Sequence, residues 1–136
     1  MNKAKWIKEE FKKVEEYLQK EKITYDRIEN TPSFYIEECV AIWKIFSKKY
    51  KGKIGWWVIS GDLPTDYISS KNIKDARTAL EKILSEWKSY VKSMKDGKNP
   101  NDVKIGNKNN KKELGELLEK RINILEEWLA TDNLWN

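Results

Sequence analysis

The segment Gly55-Trp56-Trp57-Val58-Ile59-Ser60-Gly61-Asp62-Leu63-Pro64-Thr65-Asp66-Tyr67 gathers the side chains of this chain best suited to chemistry. Asp62 and Asp66 are two carboxylates four positions apart, with the phenol of Tyr67 next in line and two adjacent indoles upstream. Carboxylates in unlike surroundings can divide acid and base roles, and paired oxygens can hold Mg²⁺. Glu37 or Glu38 could assist from a neighbouring strand. One of Trp56 and Trp57 would line a pocket or an interface, because neighbours in a strand point to opposite faces. A structural reading of the same residues is the commoner one. Asp62 can satisfy loop N–H groups in an Asx turn, Thr65 or Asp66 can cap a short turn, and Gly with Pro needs no ligand to explain it.

The remaining catalytic inventory is thin. The chain has no His and a single Cys, Cys39. The commonest general base and metal ligand is therefore missing, and structural zinc sites and Ser-His or Cys-His nucleophile pairs are excluded. There is no phosphate-cradling glycine loop, and Ser60-Gly61 lacks the pattern of a nucleophile elbow. No cofactor and no metal is expected. Cys39, beside Val40-Ala41-Ile42-Trp43, reads as a buried, inert thiol.

The elements that would position the Asp62–Tyr67 segment follow from apolar spacing. Trp6, Ile7, Phe11, Val14, Tyr17 and Leu18 predict a helix from about Lys3 to Lys22, with Lys and Glu on its other face. Residues 24–33 read as a connection anchored by Tyr25 and Ile28 and broken at Thr31-Pro32-Ser33. Residues 34–47 fit either a strand or one helix face through Ile36, Val40, Trp43 and Phe46. The Gly-containing stretch 48–53 and the β-rich run Ile54 to Ser60 favour an antiparallel pair of strands. Because both runs are apolar on both faces, helices are expected to cover most of that small sheet. Asn72-Ile73-Lys74-Asp75 resembles a helix start, and Ile73, Ala76, Leu80, Ile83, Leu84, Trp87, Tyr90, Val91 and Met94 form a long stripe ending at Asp96-Gly97. After a polar loop at 98–110, Asn110 and Glu113 open a third helix carrying Leu114, Leu117, Leu118, Ile122, Leu125, Trp128 and Leu129. The fold class is α+β: an N-terminal helix, a short antiparallel β-hairpin, then two long amphipathic helices packed on it.

Charge along the chain is segregated. The net charge is +5, yet residues 88–112 hold eight lysines against Asp96 and Asp102, while residues 113–136 hold six acids against Lys120 and Arg121. Lys88, Lys92 and Lys95 would lie on one helix face as a candidate phosphate- or acid-binding patch. A solvated helix face followed by a polar loop explains the same run. Only Arg27, Arg77 and Arg121 are arginines, and it is Arg that supplies planar bidentate recognition, so nucleic acid ranks low among partners.

With 136 residues, 39% hydrophobic and 36% charged, the chain is polar, but seven Trp, six Tyr and three Phe supply the apolar area for one core. Disordered chains lack such residues. No apolar run is long enough to span a membrane, and the opening Met1-Asn2-Lys3-Ala4-Lys5-Trp6 carries no apolar signal core, so a cytoplasmic single domain over 1–136 is expected.

From Gly55 to Tyr67 the sequence resembles a family of small bacterial proteins known only as a domain of unknown function. The likeness takes in Thr31-Pro32-Ser33-Phe34-Tyr35 upstream, and downstream the Ala76 to Met94 helix, Ile105-Gly106 and Leu114-Gly115. What the resemblance implies is a compact α+β bacterial domain and a notable Asp62 to Tyr67 loop, without a reaction. It also supports a strand over 39–47.

The functional expectation is a non-enzymatic module that binds another protein, with immunity or antitoxin-like neutralisation as one concrete form. A small-molecule or metal-assisted hydrolytic site at Asp62–Tyr67 is the alternative, and weak nucleic-acid binding through the Lys-rich segment is the third. Trp135 could fold back onto the core or anchor a dimer contact; oligomeric state is open.

Overall fold

A helix ahead of a twisted antiparallel sheet dominates the first half of the chain. The computed structural model describes residues 2–95 and 111–136. They fall into two compact units, Met1–Ala79 and Leu80–Asn136. The expected helix end at Asp96-Gly97, the loop at 98–110 and the Asn110 cap lie outside the described residues.

In the first unit, α1 spans Lys3–Lys20. Its first turn is capped by Asn2, whose side chain accepts from the Lys5 N–H at 2.8 Å. Its end comes two residues before the expected Lys22 because Lys22 turns left-handed, with φ 58. The Lys22 N–H then bonds the Gln19 carbonyl and the Ile23 N–H the Leu18 carbonyl, both at 3.0 Å. That is a Schellman closure, with Ile23 joining the apolar cluster around Leu18.

The expected two-stranded hairpin is the centre of a five-stranded antiparallel sheet. Its strands are β1 (Arg27–Ile28), β2 (Phe34–Ile36), β3 (Val40–Phe46), β4 (Ile54–Gly61) and β5 (Asp66–Ser69). The order is β1-β3-β4-β5, with β2 also on β3. Residues 34–47 are thus strand rather than helix, interrupted by a turn in which Glu38 takes φ 65. The three extra strands are two to four residues long, too short to leave a readable period in sequence.

Register sorts the apolar side chains onto two faces. Ala41 lies opposite Ser60, Trp43 opposite Val58 and Ile45 opposite Trp56. This face meets α1, where Trp6, Val14 and Leu18 are buried with Ala41, Trp43, Ile45 and Val58. The Phe11 and Trp43 rings meet edge to face at 5.9 Å. Val40, Ile42, Trp57 and Ile59 are fully buried on the opposite face. There the Trp57 indole N–H donates to the Ile73 carbonyl at 3.2 Å.

The helix α2 spans Ala76–Lys95, and its first turn is capped by Asp75, which accepts from the Thr78 N–H at 2.8 Å. In the second unit it is followed by α3, Lys111–Leu129, and a 3₁₀ turn at Asp132–Trp135. Lys88 pairs with Glu126 at 2.6 Å and Lys95 with Glu119 at 3.1 Å, so the two helices run antiparallel. Gly115 permits the crossing, since a Cβ there would stand 2.8 Å from that of Met94. Leu118, Ile122 and Leu125 form the buried stripe of α3. Among the described residues, no helix is long and apolar enough to cross a membrane.

Candidate functional site

The sheet end that carries Gly61 and Asp62 is built by close backbone approach. Gly61 takes φ +133 and pairs with Val40. A Cβ at Gly61 would lie 2.3 Å from the Cys39 carbonyl oxygen and 2.8 Å from the Val40 Cα. Only glycine fits such a site. The Asp62 N–H continues the seam by donating to the Cys39 carbonyl at 3.0 Å. The turn holding Glu37, Glu38 and Cys39 is therefore the neighbour of Asp62; both glutamates are exposed, and they stand in that turn rather than in a strand. Cys39 is half-buried at this turn rather than enclosed in the core.

The two aspartates have different fates. Asp62 is exposed. Asp66 is 6% exposed, and as the first residue of β5 it belongs to the sheet rather than to a loop. Its carboxylate accepts from the N–H of the next residue, Tyr67, at 2.8 Å. Thr65 is half-buried, as is Tyr67. Trp57 is fully buried, and Trp56 packs half-buried at the edge of the cluster under α1. Among the described residues, no group of three or more His, Cys, Asp or Glu is placed to hold a metal ion.

What faces the motif is α1. Lys13 Nζ donates to the Gly61 carbonyl at 3.2 Å and pairs with Glu10 at 2.9 Å. Glu10 is 6% exposed, and its second carboxylate oxygen is enclosed without a hydrogen-bond partner. Two turns along, the Tyr17 ring lies 6.0 Å from that of Tyr67. The Tyr17 hydroxyl is enclosed too, with no partner at full hydrogen-bond geometry. Burial first, and then the charge of Asp66, hold its phenol far above the ordinary value of 10. The arrangement can keep a neutral phenol beside a carboxylate and tie helix to strand through a lysine. Glu10 Oε1 and the phenol oxygen itself are enclosed atoms where a water or a small polar ligand would gain hydrogen bonds.

Glu10, Lys13 and Tyr17 are residues that spacing alone did not single out as functional. The signal was present, since Glu10 sits four residues from both Trp6 and Val14, inside the apolar stripe of α1. A charge at a core position is an informative exception to the helical pattern.

The basic patch is drawn into the second unit's own ion pairs. Lys88 and Lys95 each bind a glutamate of α3, while Lys92 is exposed. The segregated charges of the sequence thus partly neutralise one another. Lys98, Lys104 and Lys108 lie outside the described residues. Trp135 folds back, its indole N–H donating to the Trp128 carbonyl at 3.0 Å.

The chain belongs to a family described as Domain of unknown function (DUF4826), whose model matches residues 1–135. No curated protein and no solved structure matches it.

Proposed function

We propose that this member of the DUF4826 family is a cytoplasmic, non-enzymatic module that binds a basic protein partner through the outer face of α3. The observation that carries the reading is a pair of exposed apolar side chains on a helix whose inner stripe is already buried. Leu117 and Ile124, one heptad apart, are 40% and 39% exposed, and Leu134 of the 3₁₀ turn is 39% exposed. Apolar side chains aligned outward on one element are a feature of interaction surfaces. Exposed Glu113, Glu116 and Glu127 flank them, with Lys120 and Arg121 between Leu117 and Ile124, in a segment with six acids and two bases. Charge complementarity therefore selects a partner with an apolar ridge inside a basic surface. Neutralising such a partner, as immunity proteins and antitoxins do, is one concrete form.

The test is titration of a protein recovered from the native cell and then purified. It should bind the chain with Kd of about 1 μM or tighter and lose at least about tenfold with Leu117→Glu/Ile124→Glu. Unchanged affinity in that variant would remove the reading.

A second reading, a small-molecule or metal-assisted hydrolytic site at Asp62–Tyr67, draws support from the enclosed acceptor of Glu10 and the enclosed Tyr17 hydroxyl beside Asp66. A thermal-shift panel of divalent metals, nucleotides and sugars tests it. A shift of several degrees that vanishes in Asp62→Asn would favour it over protein binding.

A further inference from the structure

We infer that the tip of the β3–β4 hairpin is a binding surface for single-stranded nucleic acid, an inference independent of the reading above. Within Ser47–Lys53 the chain places Lys48, Lys49, Lys51 and Lys53 around Tyr50, with no acidic residue. All four lysines are exposed, and Tyr50 is 62% exposed, the most open of the large apolar or aromatic side chains described.

The loop is rigidly built. The Ser47 N–H bonds the Lys53 carbonyl at 2.8 Å, and the Lys53 N–H bonds the Tyr50 carbonyl at 3.0 Å. The Tyr50 N–H donates to the Ser47 hydroxyl at 3.0 Å. Gly52 supplies the left-handed corner at φ +78, with no neighbour within 4 Å of a Cβ there. A loop backbone held in this way loses little freedom on binding, while the ring it presents stays open to solvent. Lys49 Nζ stands 5.4 Å from the Tyr50 ring centre. At the hairpin base the Arg27 guanidinium lies 4.1 Å from the centre of the Phe46 ring, adding a cation and a second ring. Asp26, whose N–H bonds the Phe46 carbonyl at 2.9 Å, is the acid that the register brings to this base.

Lysines alone would serve solubility at a sheet end, but that role leaves the presented ring without a use. Cations alternating with an exposed ring match phosphates and a stackable base. The choice of nucleic acid over protein rests on composition. Lysine is depleted in protein–protein interfaces, whereas nucleic-acid interfaces are strongly basic. With one exposed ring at the tip and lysine point charges around it, and its one arginine already set against the Phe46 ring, the surface would hold a strand without reading its sequence.

Fluorescence anisotropy of a labelled oligothymidylate of about a dozen nucleotides, titrated with the full chain, tests this. Four lysine–phosphate contacts give a slope of log affinity against log salt of about −3, and each Lys→Gln change at the tip should lower its magnitude by about 0.7. Tyr50→Ala should weaken binding about tenfold, while Tyr50→Phe should keep it, because stacking needs only the ring. Lys92→Gln in α2 should leave Kd and slope unchanged. Circular dichroism should find each variant folded, since these side chains are exposed. The inference is overturned if the oligonucleotide does not bind at low salt, or if Tyr50→Ala and the lysine changes leave Kd and slope alone. It is also overturned if a polyglutamate peptide of similar length competes equally, which would assign the tip to an acidic protein.

Discussion

Gly61 and Cys39 meet backbone to backbone, so closely that a methyl group on Gly61 would stand 2.3 Å from the Cys39 carbonyl oxygen. The contact seals β4 against the turn before β3 and sets where Asp62 begins. Gly61→Ala combines a clash with immovable backbone and a positive φ, and should cost about 3 kcal/mol or more. Urea unfolding measures it. A loss under about 1 kcal/mol would mean that the seam can open without cost.

Lys22 holds the left-handed position of the Schellman closure at φ 58, where glycine is the natural occupant. Lys22→Gly should stabilise the protein by about 1 kcal/mol, or roughly 4 °C in melting temperature. A lower melting temperature would contradict the closure.

Tyr17 is the test of the enclosed polar atoms. Its hydroxyl lacks a partner at full geometry, so Tyr17→Phe should change stability by less than about 1 kcal/mol at neutral pH. The folded phenol titrates above its ordinary value of 10, so the folded state keeps a proton that the unfolded chain releases. Stability is therefore intact below pH 10 and falls as pH rises beyond it. Tyr17→Phe should flatten that alkaline decline in a series of melts. A loss of about 2 kcal/mol at neutral pH would instead reveal a strong partner for the hydroxyl.

Asp75 caps α2, and hydrogen bonding from the Thr78 N–H holds its carboxyl below the usual 3.8. A depressed carboxyl stabilises the fold above its unfolded value and loses that contribution as pH falls through the folded one. Asp75→Ala should cost about 1 kcal/mol at neutral pH, with the difference from the parent shrinking below pH 3.8. A difference independent of acid pH would assign the cost to something other than the charged cap.

The long elements were readable because each repeats its apolar spacing many times. The Trp6–Leu18 stripe and the paired runs at 40–46 and 54–61 lie where the spacing puts them. The helix α2 begins at Ala76 rather than near Asn72, because Asn72 turns left-handed at φ 62 and Asp75 rather than Asn72 caps the first turn, leaving Ile73 ahead of the helix. Strands of two to four residues carry no such repetition, and β1, β2 and β5 are held by the edges of β3 and β4 instead. The candidate segment was legible as a motif, but the burial of Asp66 and the exposure of Asp62 follow from β5 joining the sheet. Lys88 and Lys95 read as a binding patch because their partners Glu126 and Glu119 lie 38 and 24 residues away in sequence. Tyr50, hidden in an ordinary hairpin loop, stands out only once its exposure is known.

Photo-crosslinking from position 124 in the native cell tests the outer face of α3 most directly. A photoreactive residue replacing Ile124 should yield one predominant adduct with a basic protein. That protein, purified, should bind the parent chain and not Leu117→Glu/Ile124→Glu, while a probe at exposed Lys8 should yield no such adduct. Adducts confined to second copies of this chain, or none above the Lys8 control, would contradict a protein-binding role for that face.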